Sequence, residues 1–268
     1  MLIRKLGYLL CILFASSMSI AAEIIEINFA YVGESEHPAL LGVKQGIDES
    51  NLQGEFLNQR YNLDVVSSDG FNEHDFKKYI AVLTSLNSKY LKDLAKQLSN
   101  TPIFNLNDES DELRLKCIEN ILHITPSNKM KSDALKQLKV KKPDSKATAQ
   151  SWHHSFVKFA ARDLNKRFKK NYQNKMDDHS WAGWAAVKMT SDTVARTQIT
   201  NSRDMLNYLK NDLSFDGQKG SDMNFRVNGQ LRQLILLVEN DKIVAEAPIR
   251  GVAKPLSLDS LGILECEN

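Results

Sequence analysis

The chain has 268 residues, 35 Lys and Arg against 33 Asp and Glu for a formal charge of +2, and a hydrophobic fraction of 42%. These values exclude a collagen-like or generally disordered chain, and a near-neutral charge leaves no electrostatic footprint for nucleic acid. The length admits one large domain or two small ones.

Residues 1–21 follow the three-part layout of a secretory signal peptide: Arg4 and Lys5, an apolar run from 6 to 15, and Ser19-Ile20-Ala21 as a small-x-small cleavage site. The apolar run is too short to span a bilayer, and no later stretch is long enough, so we expect an exported, periplasmic protein that does not span the membrane. Removal of the leader takes Cys11 with it and leaves Cys117 and Cys266. An even pair in an oxidising compartment reads most simply as a disulfide, the alternative being one buried thiol and one free thiol near the chain end.

From residue 22 to 138 the pattern alternates between strands and helices. Apolar, β-branched segments at 24–32, 61–67, 79–83, 102–104 and 121–124 predict strands. Pro38 opens a predicted helix through residue 50, and further helices are expected over 89–98 and 127–138. Strands separated by helices predict an α/β lobe with a parallel sheet flanked by helices. The ligand side of such a sheet is the row of loops at the strands' carboxyl ends. Those loops carry Ser85, Asn87, Asn105, Asn107, Thr125 and Ser127, whose hydroxyls and amides suit the amino and carboxylate groups of an amino-acid-like solute. The same residue types at the same positions also cap helices.

Residues 139–151 are polar and predict a linker. Beyond it Trp152, Phe156, Ala160, Leu164, Phe168 and Tyr172 recur every fourth residue and predict one long helix. A second, buried helix is expected after Asp177-Asp178, carrying Trp181, Trp184, Ala185 and Val187. A shorter helix over 202–209 precedes β segments at 223–226, 233–238 and 242–247. The charge is uneven: 23–112 holds 16 acids and 7 bases, whereas 129–175 holds 14 bases and 3 acids. Such segments dock a charged partner or stand as solvated faces.

The most specific strings lie in the C-terminal third: Asp177-Asp178-His179-Ser180-Trp181-Ala182-Gly183-Trp184, then Gly217-Gln218-Lys219-Gly220, Asn224-Phe225-Arg226, Gly229-Gln230-Leu231-Arg232-Gln233, Leu258-Asp259-Ser260-Leu261-Gly262 and Cys266. Together with Leu113-Arg114, Cys117, Asn120-Ile121-Leu122-His123 and Pro126-Ser127, their order resembles the periplasmic substrate-binding proteins of the ABC transporter encoded with the PQQ-dependent alcohol dehydrogenase system. That family is a branch of the type I, branched-chain-amino-acid-type periplasmic binding proteins. The resemblance covers most of 24–138 and 155–266, and it implies that Cys117 and Cys266 pair. It departs at Val227-Asn228, where the family has Pro-Trp, and at Leu234, where it has Pro. Family members also carry further strands and helices where this chain has residues 139–151, which implies a reduced second lobe. Residues 152–268 are then expected to complete lobe one and to supply what remains of lobe two.

The resemblance implies a solute-binding component that captures a small molecule without chemistry, with an inner-membrane permease or a periplasmic dehydrogenase or cytochrome as partner. One alternative is an accessory protein that has lost the two-lobe trap. A second is a calcium or rare-earth binder using the oxygen-rich run that includes Asp108, Glu109 and Asp111, or the group Asp69, Glu73 and Asp75, although neither has an EF-hand pattern. His153, His154 and His179 have no Cys or His partner at zinc spacing, so solvent or capping roles are expected and no metal site is assigned. Trp181 and Trp184 read as core or as a quinone-stacking pair, and Arg226 and Arg232 as a carboxylate grip or as turn-fixing groups. Without a nucleophile elbow, a Walker loop or a glycine-rich dinucleotide motif, no enzyme activity and no cofactor are expected.

Overall fold

The computed structural model describes residues 23–267; the expected signal peptide and Cys11 lie outside them. The chain runs β1 (Ile25–Val32), α1 (Pro38–Gly54), β2 (Gln59–Val66), β3 (Ala81–Thr84), α2 (Ser88–Gln97), β4 (Ile103–Asn105), α3 (Asp111–Leu115), β5 (Ile121–His123), α4 (Asn128–Lys141), β6 (Thr148–Gln150), α5 (Ala161–Tyr172), α6 (Asp178–Thr197), α7 (Ser202–Asn211), β7 (Ile235–Glu239) and β8 (Lys242–Ala247). The first five strands form one parallel sheet in the order β2-β1-β3-β4-β5. The expected α/β lobe with a parallel sheet flanked by helices is therefore present.

Alternation along β1 divides the core. Ile27, Phe29 and Tyr31 face one layer, built with α1, α5 and α6, whereas Ala30 and Val32 face the other, built with α2 and the 71–79 segment. Both faces are covered, which is why β1 reads as a nearly continuous apolar run. Helices α1 and α6 approach until backbone meets backbone: a Cβ added at Gly42 would strike the Ser180 carbonyl, and one at Gly183 the Ala39 carbonyl. Gly183→Ala is accordingly expected to lower the unfolding free energy by about 1–3 kcal/mol in denaturant titration, since neither backbone can yield cheaply.

The expected helix from Trp152 begins only at Ala161. Residues 152–160 form an irregular segment that ends with Phe159 and Ala160 in the left-handed region, at φ 50° and 67°. Local polar contacts win over the four-residue spacing here. The Asn165 side chain accepts from Trp152 Nε1 at 2.9 Å and donates to the Phe156 carbonyl at 3.0 Å, and Trp152 N donates to Asp178 Oδ1 at 2.7 Å. Trp152 is still buried, stacked on Trp181 with ring centroids 5.7 Å apart. Helix α6 starts as its sequence predicts, with a capping box between Asp177 and Ser180.

Residues 139–151, read as a linker, contain the last turn of α4 and the strand β6. The expected strand at 223–226 reduces to isolated bridges, Phe215 with Met223 and Phe225 with Leu231. The second sheet has three antiparallel strands, β6-β7-β8, and packs on α4 through Met130, Ala134, Leu138, Ile235 and Leu237. Residues 229–231 run beside β5, with His123 N donating to the Gly229 carbonyl at 2.7 Å. Cys117 and Cys266 are disulfide-bonded, 149 positions apart with Cα atoms 5.7 Å from each other. Among the described residues no helix is long and apolar enough to cross a membrane.

Candidate functional site

In the strand order β2-β1-β3-β4-β5, the chain reverses direction of growth between β1 and β3, and a crevice opens outside the carboxyl ends at such a point. The register keeps these ends level, Val32 lying opposite both Val66 and Thr84. A cleft of about 340 Å³ lies there, lined by Gly33, Glu34, His37, Ser68, Ser85, Leu86, Asn87, Tyr90 and Asn107.

Its floor is fixed by short-range bonds. Thr84 Oγ1 donates to the Val32 carbonyl at 2.8 Å and accepts from Leu86 N at 3.0 Å, which turns the chain after β3. Ser85 Oγ and Tyr31 Oη are 2.8 Å apart. Burial holds the Tyr31 phenol up at about 12, so it stays protonated and available as a donor. Gly33 is required where β1 ends, because its φ is +155° and any Cβ would collide with Ser85 Oγ.

One wall belongs to the start of α1. His37 Nδ1 accepts from Ala39 N at 3.2 Å as the helix cap, which assigns the ring proton to Nε2, 3.3 Å from Asn107 Oδ1. Burial, and then the neighbouring His179, lower the His37 pKa, so its ring is neutral at neutral pH. The His179 ring stands edge-on to His37 at 5.0 Å, its Nδ1 donating to the Leu106 carbonyl at 3.0 Å. On the opposite wall Asn87 Oδ1 caps α2 through Lys89 N and Tyr90 N, and Asn107 Nδ2 donates to the Ser85 carbonyl at 3.1 Å.

Three of the six residues expected at the site, Ser85, Asn87 and Asn107, therefore line one cleft. The other three do not reach it. Asn105 is fully buried, its Oδ1 accepting from Asn107 N and Asp108 N and its Nδ2 lying 2.9 Å from His123 Nδ1. Ser127 caps α4 through Met130 N at 3.2 Å, and Thr125 offers its carbonyl to the guanidinium of Arg114 at 2.8 Å. Arg114, buried beneath the loops after β4 and β5, also donates to Gln230 Oε1 and to the carbonyls of Asp108 and Ser110. It braces the cleft's outer loop from below. Tyr90 also lines the cleft, from the exposed side of the first turn of α2, where no loop rule points to it.

Several other candidates have structural partners. Asp108 faces Arg114 at 3.8 Å, Glu109 pairs with Lys131, and Asp111 accepts from Lys129 N at 2.9 Å, so the three carboxylates turn to different partners. Arg226 and Arg232 both grip Asp259 Oδ1, at 3.0 and 2.8 Å, and hold the chain's end. Trp181 is core, and Trp184 Nε1 donates to Glu49 Oε2 at 2.8 Å. Larger depressions of about 410 and 440 Å³ lie at the amino ends of β1 and β2 and beside α6, away from the switch point.

No family model matches the chain, and no curated protein matches it. Solved structures do. A branched-chain amino acid ABC transporter periplasmic ligand-binding protein from Burkholderia xenovorans superposes with a TM-score of 0.69 at 10% identity, covering 82% of this chain and 95% of that one. The branched-chain amino acid transporter substrate-binding protein of Streptococcus pneumoniae, in complex with isoleucine, gives 0.62 at 10% identity over 82% and 98%. An ABC transporter solute-binding protein from R. palustris, in complex with benzoate, gives 0.64 at 11% identity over 82% and 95%. At these identities the shared property is the fold, an α/β arrangement with a parallel five-stranded sheet flanked by helices.

Proposed function

We propose that the protein is the periplasmic solute-binding component of an ABC-type transport system coupled to PQQ-dependent alcohol oxidation. It captures a small solute and presents it to an inner-membrane permease without chemistry. The observation that carries this reading is the polar cleft at the switch point between β1 and β3, where Ser85, Asn87, Asn107, His37 and Glu34 converge. Glu34 suits an amino group, while the Ser85 hydroxyl and the free Nδ2 of Asn87 suit a carboxylate. The solved neighbours described as ABC binding proteins support solute capture, and the motif order from Asp177 to Cys266 supports the tie to PQQ-dependent oxidation. The leader-like residues 1–21 support a periplasmic location. Residues 22–138 form lobe one in this reading, and 152–268, joined by the β6 strand of 139–151, complete it and supply the reduced second lobe.

Calorimetry against amino acids, alcohol-derived acids, PQQ, calcium and lanthanum tests it. One small solute is expected to bind one-to-one, and Ser85→Ala is expected to weaken it about tenfold, the effect of one lost hydrogen bond. Silence across the panel, or unchanged affinity in both Ser85→Ala and Glu34→Gln, overturns the reading.

A second reading is favoured by the small, three-stranded second sheet: an accessory protein that docks a periplasmic dehydrogenase, cytochrome or permease through its acidic and basic segments. It requires capture of such a partner at low salt that weakens as salt rises.

A further inference from the structure

His153 and His154 meet a carboxylate 87 residues further on. His153 Nε2 and His154 Nε2 lie 3.1 and 3.0 Å from the same atom, Asp241 Oδ1, and the ligand atoms of all three side chains fall within 4.8 Å of one another. Among the described residues this is the group of His, Cys, Asp and Glu side chains so arranged.

Two rigid supports hold it. Asp241 occupies the two-residue turn between β7 and β8, where Asn240 and Asp241 have φ 52° and 58°, a turn that Asn and Asp tolerate best. His153 is only 7% exposed, and its Nδ1 lies 2.7 Å from Ser155 Oγ. That hydroxyl is an acceptor for Nδ1–H once Nε2 is given to a ligand, the usual orienting arrangement for a metal-bound imidazole. Without metal the tautomer is the reverse, Nδ1 accepting from Ser155 N at 3.3 Å while Nε2–H faces Asp241. Metal uptake therefore moves the ring proton from Nε2 to Nδ1.

We propose that His153, His154 and Asp241 bind a divalent transition-metal ion of the zinc class, leaving a fourth coordination position open. Two imidazoles and one carboxylate are the donor set of Zn²⁺, Co²⁺, Ni²⁺ or Cu²⁺ and are poorly matched to Ca²⁺ or a lanthanide, which want oxygen. Lys175 touches the other carboxylate oxygen, Oδ2, at 3.4 Å and leaves Oδ1 to the metal. The adjoining recess of about 260 Å³ is lined by His154, Arg162, Lys166, Lys169 and Lys175. Its positive charge opposes a bare cation and favours an anionic fourth ligand, a carboxylate or phosphate group. The ion would staple the segment before α5 to the β7–β8 hairpin.

Titration of the tag-free, full exported chain with Zn²⁺, and with Co²⁺ read by its visible absorption, tests the proposal. One equivalent is expected to bind with a Kd of about 1 µM or tighter at pH 7.5 and to raise the melting temperature. Asp241→Asn, which keeps the turn, and His154→Gln are each expected to weaken binding at least about tenfold with unchanged circular dichroism. Absence of stoichiometric binding, or wild-type affinity in both variants, overturns it. Ser85→Ala, at the separate cleft, is expected to leave Zn²⁺ affinity unchanged, so failure here is distinguishable from failure of solute capture.

Discussion

Breaking the Cys117–Cys266 disulfide is expected to lower the unfolding free energy by about 4–5 kcal/mol, the loop-closure value for two residues 149 positions apart. That is a large share of the stability of a typical domain. The bond joins the end of the chain to the segment just after α3, where Glu267 N also donates to the Leu115 carbonyl at 2.9 Å. The strap has further native contacts that do not depend on the bond. Arg226 Nη2 donates to the Leu258 carbonyl at 2.7 Å, and Asn228 Nδ2 donates to that of Ile263 at 3.0 Å. The loss should therefore appear in the denaturation midpoint, with little change in the native circular dichroism. Urea titration of the wild type with and without reductant, and of the Cys117→Ser/Cys266→Ser double variant, measures it. A loss below about 1 kcal/mol in both would mean that the reduced chain keeps residual structure when unfolded or that strain in the native bond offsets the gain.

The second large effect is a pH dependence centred on Lys219. Its ammonium is fully buried, donating to Gln233 Oε1 at 2.8 Å and to the Leu234 carbonyl at 3.1 Å, and it stands 4.0 Å from the Trp181 ring centroid. The ring face and Asp178 favour the charged form, but burial outweighs them and brings the lysine from 10.5 down to about 7. Between about pH 7 and 10.5 the unfolded chain holds a proton that the native state has released, so this residue's contribution to stability rises with pH across that window. Below pH 7 both states are charged and the full cost of burying the ammonium persists. Burial also raises the Asp178 carboxyl, against the pull of Trp152 N and Lys131. Relative to Lys219→Met, the wild type is expected to gain about 2–3 kcal/mol between pH 7 and 9, at about 1.4 kcal/mol per pH unit. Denaturant titrations of both proteins at the two pH values measure that gain. A constant difference would mean that Trp181 and Asp178 keep the amine charged throughout.

Local pattern carried most of the first lobe. The run from Ile24 to Val32 is apolar because both of its faces are covered, and Pro38, Asn87, Ser127 and Asp177 mark helix starts by their own chemistry, so strands and helices there are legible to within a few residues. The cleft was legible at the level of loops. Ser85, Asn87 and Asn107 follow from the rule that ligands meet parallel sheets at their carboxyl ends. Asn105, Thr125 and Ser127 satisfy the same rule yet are buried: Asn105 and Ser127 bond nearby backbone N–H groups, and Thr125 lies over Arg114. The spacing from Trp152 to Tyr172 misled for a related reason. Repetition every fourth residue states that these side chains are buried, and they are, but Asn165 and Asp178 satisfy the backbone around Trp152 without a helix.

The sequence by itself determined the α/β alternation, the order of elements through the first sheet and the row of loops at its strands' carboxyl ends, because each depends on near neighbours along the chain or on a rule of composition. Only the tertiary structure decided which of those loop residues share a cleft, that 148–150 leaves the expected linker to join a second sheet, and that His153 and His154 meet Asp241. These are contacts between segments tens of residues apart, which no local period encodes.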